Sequence, residues 1–143
     1  MSTQVPFLVL SLIASGDLST KQFKGVKIDT NGEVAVAGLG EMCIGVLQNK
    51  PDARGREASV AVFGVSKMVV GTAGVTRGLP VGVDANGDAI NGEKGQVDTD
   101  GNAQSNLALL GSNMIGIALE TGVDNDIVPV ALLHMGMVPT TAE

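Results

Sequence analysis

The chain has no tryptophan, no tyrosine and only three aromatic residues, Phe7, Phe23 and Phe63, among 143. Aromatic side chains dominate most ligand pockets and most protein–protein hot spots. Recognition by this chain is therefore expected to run through backbone edges, aliphatic contacts and shape. There is one cysteine, Cys43, and one histidine, His134. A lone cysteine excludes an internal disulfide, and its setting between Met42 and Ile44 reads as a small buried hydrophobe. One histidine and one distant cysteine cannot build a four-ligand zinc site without carboxylates. Basic residues are also few. Nine Lys and Arg against fifteen Asp and Glu give a formal charge of −6. Contact with nucleic acid depends on Lys and Arg neutralising phosphates, so no nucleic-acid partner is expected. The apolar stretch Val5 to Ala14 is about half as long as a spanning helix requires, and no Lys or Arg precedes Lys21. No membrane segment or signal peptide is expected, and the stretch reads as a buried strand or a docking arm.

What the chain does contain is small aliphatic residues and turns. Hydrophobic residues make up 44%, mostly Val, Ile, Leu, Ala and Met, alongside 20 glycines in no regular period. Such a mixture suits short strands joined by tight turns. No stretch keeps a 3.6-residue period; Ser105 to Leu110 offers one or two helical turns at most. Ten to thirteen short strands are expected in one all-β domain, a small barrel or sandwich (β-tulip-like) with little or no helix. Gly64 is expected to mark a bulge, and Pro129 to mark an edge or a bulge, because proline cannot donate to a ladder.

The sequence also repeats itself. Gly25-Val26-Lys27-Ile28-Asp29-Thr30-Asn31-Gly32-Glu33-Val34 is echoed by Val81-Gly82-Val83-Asp84-Ala85-Asn86-Gly87-Asp88-Ala89-Ile90. Met42 to Leu47 returns as Asn113 to Leu119, and Ser59 to Val62 as Ile127 to Val130. Each copy reads as strand, tight turn, strand, Ile-Gly strand, loop and apolar strand. In each, Asn-Gly is a hairpin signal because both residues tolerate positive φ. The expected layout is an N-terminal arm over 1–20 and one β-domain over 21–143. Its units cover about 21–70 and 79–138, with an insertion at about 91–105.

Few residues could carry chemistry. His134 is the only conventional base for a serine triad, yet no Gly-x-Ser-x-Gly elbow presents a nucleophile. It reads as a surface or strand-end histidine. Three acidic loops begin like calcium loops, at Asp29, Asp84 and Asp98. Counting to the twelfth position gives Gly40, Gly95 and Leu109 where a bidentate Glu is needed. The first two read as hairpin turns, and the third as an insertion loop with weak cation binding left open. Gly71-Thr72-Ala73-Gly74 lacks the Lys-Ser/Thr of a phosphate loop. Catalytic residues, metal ligands and cofactors are therefore expected to be absent. Arg54 and Arg56, flanking Gly55, are candidates for contact with an acidic neighbouring surface, since Arg grips carboxylates with two donors.

One succession of segments carries a resemblance. Lys21 to Lys27 leads into Gly32 to Gly38, then Ile44-Gly45-Val46-Leu47-Gln48-Asn49-Lys50-Pro51-Asp52-Ala53-Arg54-Gly55 and Val60 to Lys67. Ile115 to Glu120 precedes Val128 to Leu132 near the end. In order and spacing this resembles the capsid cement (decoration) proteins of tailed bacteriophages, across roughly residues 20–133. The resemblance implies a β-barrel-like virion protein, made in the host cytoplasm, that adds to the outer surface of an assembled head. It further implies homotrimers bridging neighbouring capsomers, with the major capsid protein as partner and no catalysis. It does not account for the first twenty residues or the insertion. From their apolar character, Val5, Pro6, Phe7, Leu8, Val9, Leu10, Leu12 and Ile13 are expected to form an inter-subunit element. The competing expectation is a receptor- or glycan-binding fibre or adhesin module, which the absence of Trp and Tyr disfavours. A β-scaffold hydrolase and a nucleic-acid chaperone are the remaining alternatives.

Overall fold

The computed structural model describes residues 4–39, 41–92 and 113–137; for 135–137 only the backbone is described. Within them, nine strands run in chain order: β1 Val5–Ile13, β2 Gly25–Ile28, β3 Val34–Val36, β4 Gly45–Leu47, β5 Glu57–Val69, β6 Pro80–Val83, β7 Ala89–Asn91, β8 Asn113–Ala118 and β9 Ile127–Met137. No helix occurs among the described residues. The all-β expectation holds, with fewer strands than expected there because Glu57 to Val69 is one long strand. Ser105 to Leu110, the acidic loop at Asp98 and most of the insertion lie outside the described residues.

All strands belong to one antiparallel half-barrel sheet, in the order β3-β2-β4-β5-β9-β8-β6-β7, with β1 paired to β5. The ladder of the first hairpin, Val26↔Val36, Lys27↔Ala35 and Ile28↔Val34, recurs 55 residues on as Val81↔Asn91, Gly82↔Ile90 and Val83↔Ala89. Gly25↔Val46 and Val26↔Gly45 recur as Pro80↔Ile117 and Val81↔Gly116. Val46↔Ala61 and Leu47↔Val60 recur as Ile117↔Ala131 and Ala118↔Val130. The ladder thus matches Ala61 with Ala131. This corrects by two residues the alignment of Ser59–Val62 with Ile127–Val130, which apolar character alone cannot fix.

The two turns are alike in detail. Gly32 N–H donates to Asp29 O at 3.0 Å, and the Asp29 side chain accepts from Asn31 and Glu33 N–H, each at 2.9 Å. Gly87 repeats the bond to Asp84 O at 3.1 Å, with Asn86 and Asp88 N–H on the Asp84 side chain at 2.8 and 3.0 Å. Only the glycines take positive φ, 78° in both turns, and neither asparagine does. The tight hairpins expected at Asn-Gly are present, each a three-residue loop built as a type I turn closed by a left-handed glycine. The aspartate side chain, by capping two amides, selects it.

Pro129 is another correction. It sits in β9, between β5 and β8, opposite Lys67. Its neighbour Val130 pairs with Ala118, the last residue of β8, so Pro129 lies just past that strand's end, where its missing N–H costs little. Its carbonyl still accepts from Leu119 N–H at 3.0 Å.

The core forms two clusters. The smaller joins Val26, Val34, Leu47 and Val60 to Ala14 and Leu18, with Leu10 and Leu12 of β1 packed against it. The larger takes Ala37, Cys43, Val46 and Ala61 from the first half and Val81, Ala89, Ala118 and Val130 from the second. The first half therefore buries residues in both clusters. The second half's matching positions, Val81, Ala89, Ala118 and Val130, all face the larger one.

Candidate interaction surface

β1 is a strand as expected, but an outer one and not buried, since β5 is its one ladder partner among the described residues. Leu10 and Leu12 turn to the core, while Val5, Val9 and Ile13 are exposed and the Phe7 ring is 89% exposed. Its ladder with β5 runs from Ile13↔Glu57 to Val5↔Val65, with irregularities on either side of Leu8. Gly64, expected to mark a bulge, has φ 101°. A β-carbon there would lie 2.4 Å from Phe7 N and 2.5 Å from Val5 O. Only glycine lets β1 cross this close, and the irregular step of β1 thrusts Phe7 into solvent. The far end is tied down at Glu57, whose carboxylate accepts from Ser11 Oγ at 2.7 Å and Ser59 Oγ at 3.2 Å. These two hydroxyls hold Glu57 below the ordinary carboxylate value.

An apolar row continues from exposed Val5 into the sheet, where its members Val65, Ala131 and Ile117 are partly buried. Val5 pairs with Val65, Val65 with Ala131, and Ala131 with Ile117, a single row across β1, β5, β9 and β8. Residues opposite one another in a ladder share a face, as do residues two apart along a strand. Phe63 and Leu133, 44% and 46% exposed, lie next to the last regular pair of β5 and β9, Gly64↔Leu132. These residues were not among the sequence candidates, since their adjacency exists only once the pairing is known. His134 lies alongside, its Nε2 3.0 Å from Val62 O and its ring edge-on to Phe63 with centroids 5.3 Å apart.

Arg54 and Arg56 are engaged within the chain. Arg54 grips both carboxylate oxygens of Glu33 at 2.9–3.2 Å, which raises its pKa. Arg56 Nε stands 3.5 Å from Asp52, well exposed. Lys24 and Asp88 form a largely buried ion pair between the two halves, beside Gly87, whose O accepts from Gly25 N–H at 2.8 Å.

Cys43 is buried, as expected, and burial pushes its thiol up from 9.0 to about 12, with Glu41 adding to the shift. A shift of that size lowers the thiolate fraction near neutral pH by about a thousandfold. Cys43 should stay silent toward a thiolate-specific alkylating reagent at pH 8 and react in full once denaturant is added. Prompt native-state labelling would contradict the packing described. Among the described residues no three His, Cys, Asp or Glu side chains stand close enough to hold a metal ion. No helix among them is long and apolar enough to cross a membrane.

No protein-family model matches the chain, and no curated protein matches its sequence. Among solved structures, the fold is similar to the N base of the head fiber protein gp8.5 of bacteriophage phi29. The TM-score is 0.61 at 10% sequence identity, covering 92% of this chain and 98% of that one.

Proposed function

We propose that this chain is a structural protein of a bacteriophage virion, held on the outer surface of the head, where it stabilises the shell by bridging neighbouring capsomers. The observation that carries the reading is the likeness of nearly the whole chain to the base of a phage head fiber. The ordered resemblance of residues 20–133 to capsid cement proteins points the same way. In this reading the protein acts without catalysis or cofactor, as a homotrimer whose partner is the major capsid protein.

The physical chemistry suits that role. An acidic chain without a basic patch belongs outside the shell, away from packaged DNA. Aliphatic contacts without aromatic anchors are individually weak, but a symmetric lattice repeats them. A millimolar contact is worth about −4 kcal/mol, and linking three raises avidity by orders of magnitude. The test is sedimentation of purified protein with undecorated heads, followed by heating. The protein should pellet with heads at a saturating ratio, and decorated heads should release DNA at a higher temperature. Protein left in the supernatant would overturn the reading.

A further inference from the structure

We infer that Phe23-Lys24-Gly25 is a clasp that holds the two halves of the domain together, and that its release opens the seam between them while each half stays folded. The inference concerns how the halves are joined and goes beyond the function proposed above.

Each half closes on itself. Ala14 N–H donates to Arg56 O at 2.8 Å and Ser15 N–H to Val34 O at 2.9 Å. The second half repeats these bonds, from Val70 N–H to Asp126 O and from Gly71 N–H to Ala89 O, each at 2.8 Å. Val9↔Ala61 and Ile13↔Glu57 likewise recur as Val65↔Ala131 and Val69↔Ile127. The stretch Val65 to Val69 of β5 thus serves the second half as Val9 to Ile13 serves the first. Ala14, Val26, Leu47 and Val60 pack in the smaller cluster, and their counterparts Val70, Val81, Ala118 and Val130 pack in the larger. Each half therefore has its own hydrogen bonds and its own aliphatic packing, the makings of a separate cooperative unit.

The clasp is an addition to that repeated plan. Phe23 N–H donates to Leu47 O at 2.7 Å, and its counterpart Gly78 donates to Ala118 O at 2.8 Å. Both are left-handed, with φ of 65° and 83°. A phenylalanine in that conformation is strained and persists only where its surroundings hold it. What holds it belongs to the second half. Val69 N–H donates to Phe23 O at 3.0 Å, the ring packs on the larger cluster, and Lys67 Nζ stands 5.9 Å from its centroid. Next in the chain, Lys24 pairs with Asp88, their side chains 15% and 14% exposed, and Gly25 N–H reaches Gly87 O. The second half has Leu79 and Pro80 in these places, with neither a charge nor a proline N–H to offer. Asp88's own counterpart, Glu33, is gripped by Arg54 within the first half. Beneath the clasp, Cys43 of the first half meets Val83 of the second. A β-carbon on Gly25 would lie 3.0 Å from Cys43 Sγ and 2.7 Å from Val83 Cγ1. The single thiol therefore reports whether the seam is closed.

The experiment is the rate of Cys43 alkylation at pH 8 in the full chain, measured without urea and at low urea, alongside thermal melts. It compares the native protein with Lys24→Met, Asp88→Asn, Phe23→Gly and Leu12→Ala. The last weakens the first half's own packing, away from the seam. The three clasp variants should label at least about tenfold faster than the native chain, since breaking a buried pair or removing the ring frees the seam locally. Their rates should change little at low urea, because a local opening exposes little new surface. Labelling of Leu12→Ala should climb steeply with urea, as global unfolding requires. Phe23→Gly keeps the backbone that Gly78 adopts, and it carries the test if the charge variants do not fold. Folded clasp variants that label as slowly as the native chain overturn the inference. So do clasp variants whose labelling climbs with urea as steeply as that of Leu12→Ala.

Discussion

Replacing Gly116 or Gly45 with alanine is expected to destabilise the domain by about 3 kcal/mol each, the upper end of ordinary overpacking. The two glycines are register counterparts, and they follow Ile115 and Ile44 in the Ile-Gly steps that mark both halves of the sequence. A β-carbon on Gly45 would lie 2.1 Å from the carbonyl oxygen of Ala61, and one on Gly116 2.0 Å from that of Ala131. The obstacle is backbone in a paired strand, so it cannot rotate away as a side-chain tip could. β4 and β8 would each have to lift from the long strand beside them. Gly32→Ala is the contrast. No atom lies within 4 Å of its β-carbon, and only the φ of 78° opposes the change, for about 1 kcal/mol. Thermal melts of the three variants check this, with Gly32→Ala the mildest by a clear margin.

Deleting residues 1–13 is expected to cost at least about 4 kcal/mol, from several backbone hydrogen bonds at about 1 kcal/mol each and two half-buried leucines. Small domains hold only about 5–15 kcal/mol in total, so the truncated chain should melt far earlier or fail to fold. β1 meets β5 over nine residues, Glu57 to Val65, and its Leu10 and Leu12 pack on the cluster around Val60 and Val62. An unchanged denaturation midpoint after truncation would contradict this. The arm is therefore part of the sheet on one face and exposed apolar surface on the other. Truncation confounds the two roles, and substitutions such as Val5→Asp separate them.

The sequence carried the local rules well and the long-range ones poorly. Asp29 to Gly32 and Asp84 to Gly87 announced their turns, because turn chemistry is written within four residues. Only the glycine uses its tolerance of positive φ, because capping by the aspartate side chain fixes the asparagine in an ordinary conformation. The Ile-Gly steps were visible as a pattern, but the reason for glycine lay in carbonyls of Ala61 and Ala131, fifteen or more residues away. Val5 to Ile13 was legible as an apolar segment. Its division into a core side at Leu10 and Leu12 and an exposed side at Val9 and Ile13 depends on which strand it pairs with. Pro129 was misread for the same reason: whether proline is tolerated depends on where β8 stops. The apolar face joining Val5 to Ile117 draws residues from four strands, so no local pattern could reveal it.

The most direct measurement is a cryo-EM reconstruction of heads assembled with and without this protein. The difference map should show density shaped like this sheet on the outer surface, placed between capsomers and repeated by the symmetry of the shell. Heads with no added density there, or with density on the inner wall against DNA, would contradict the account.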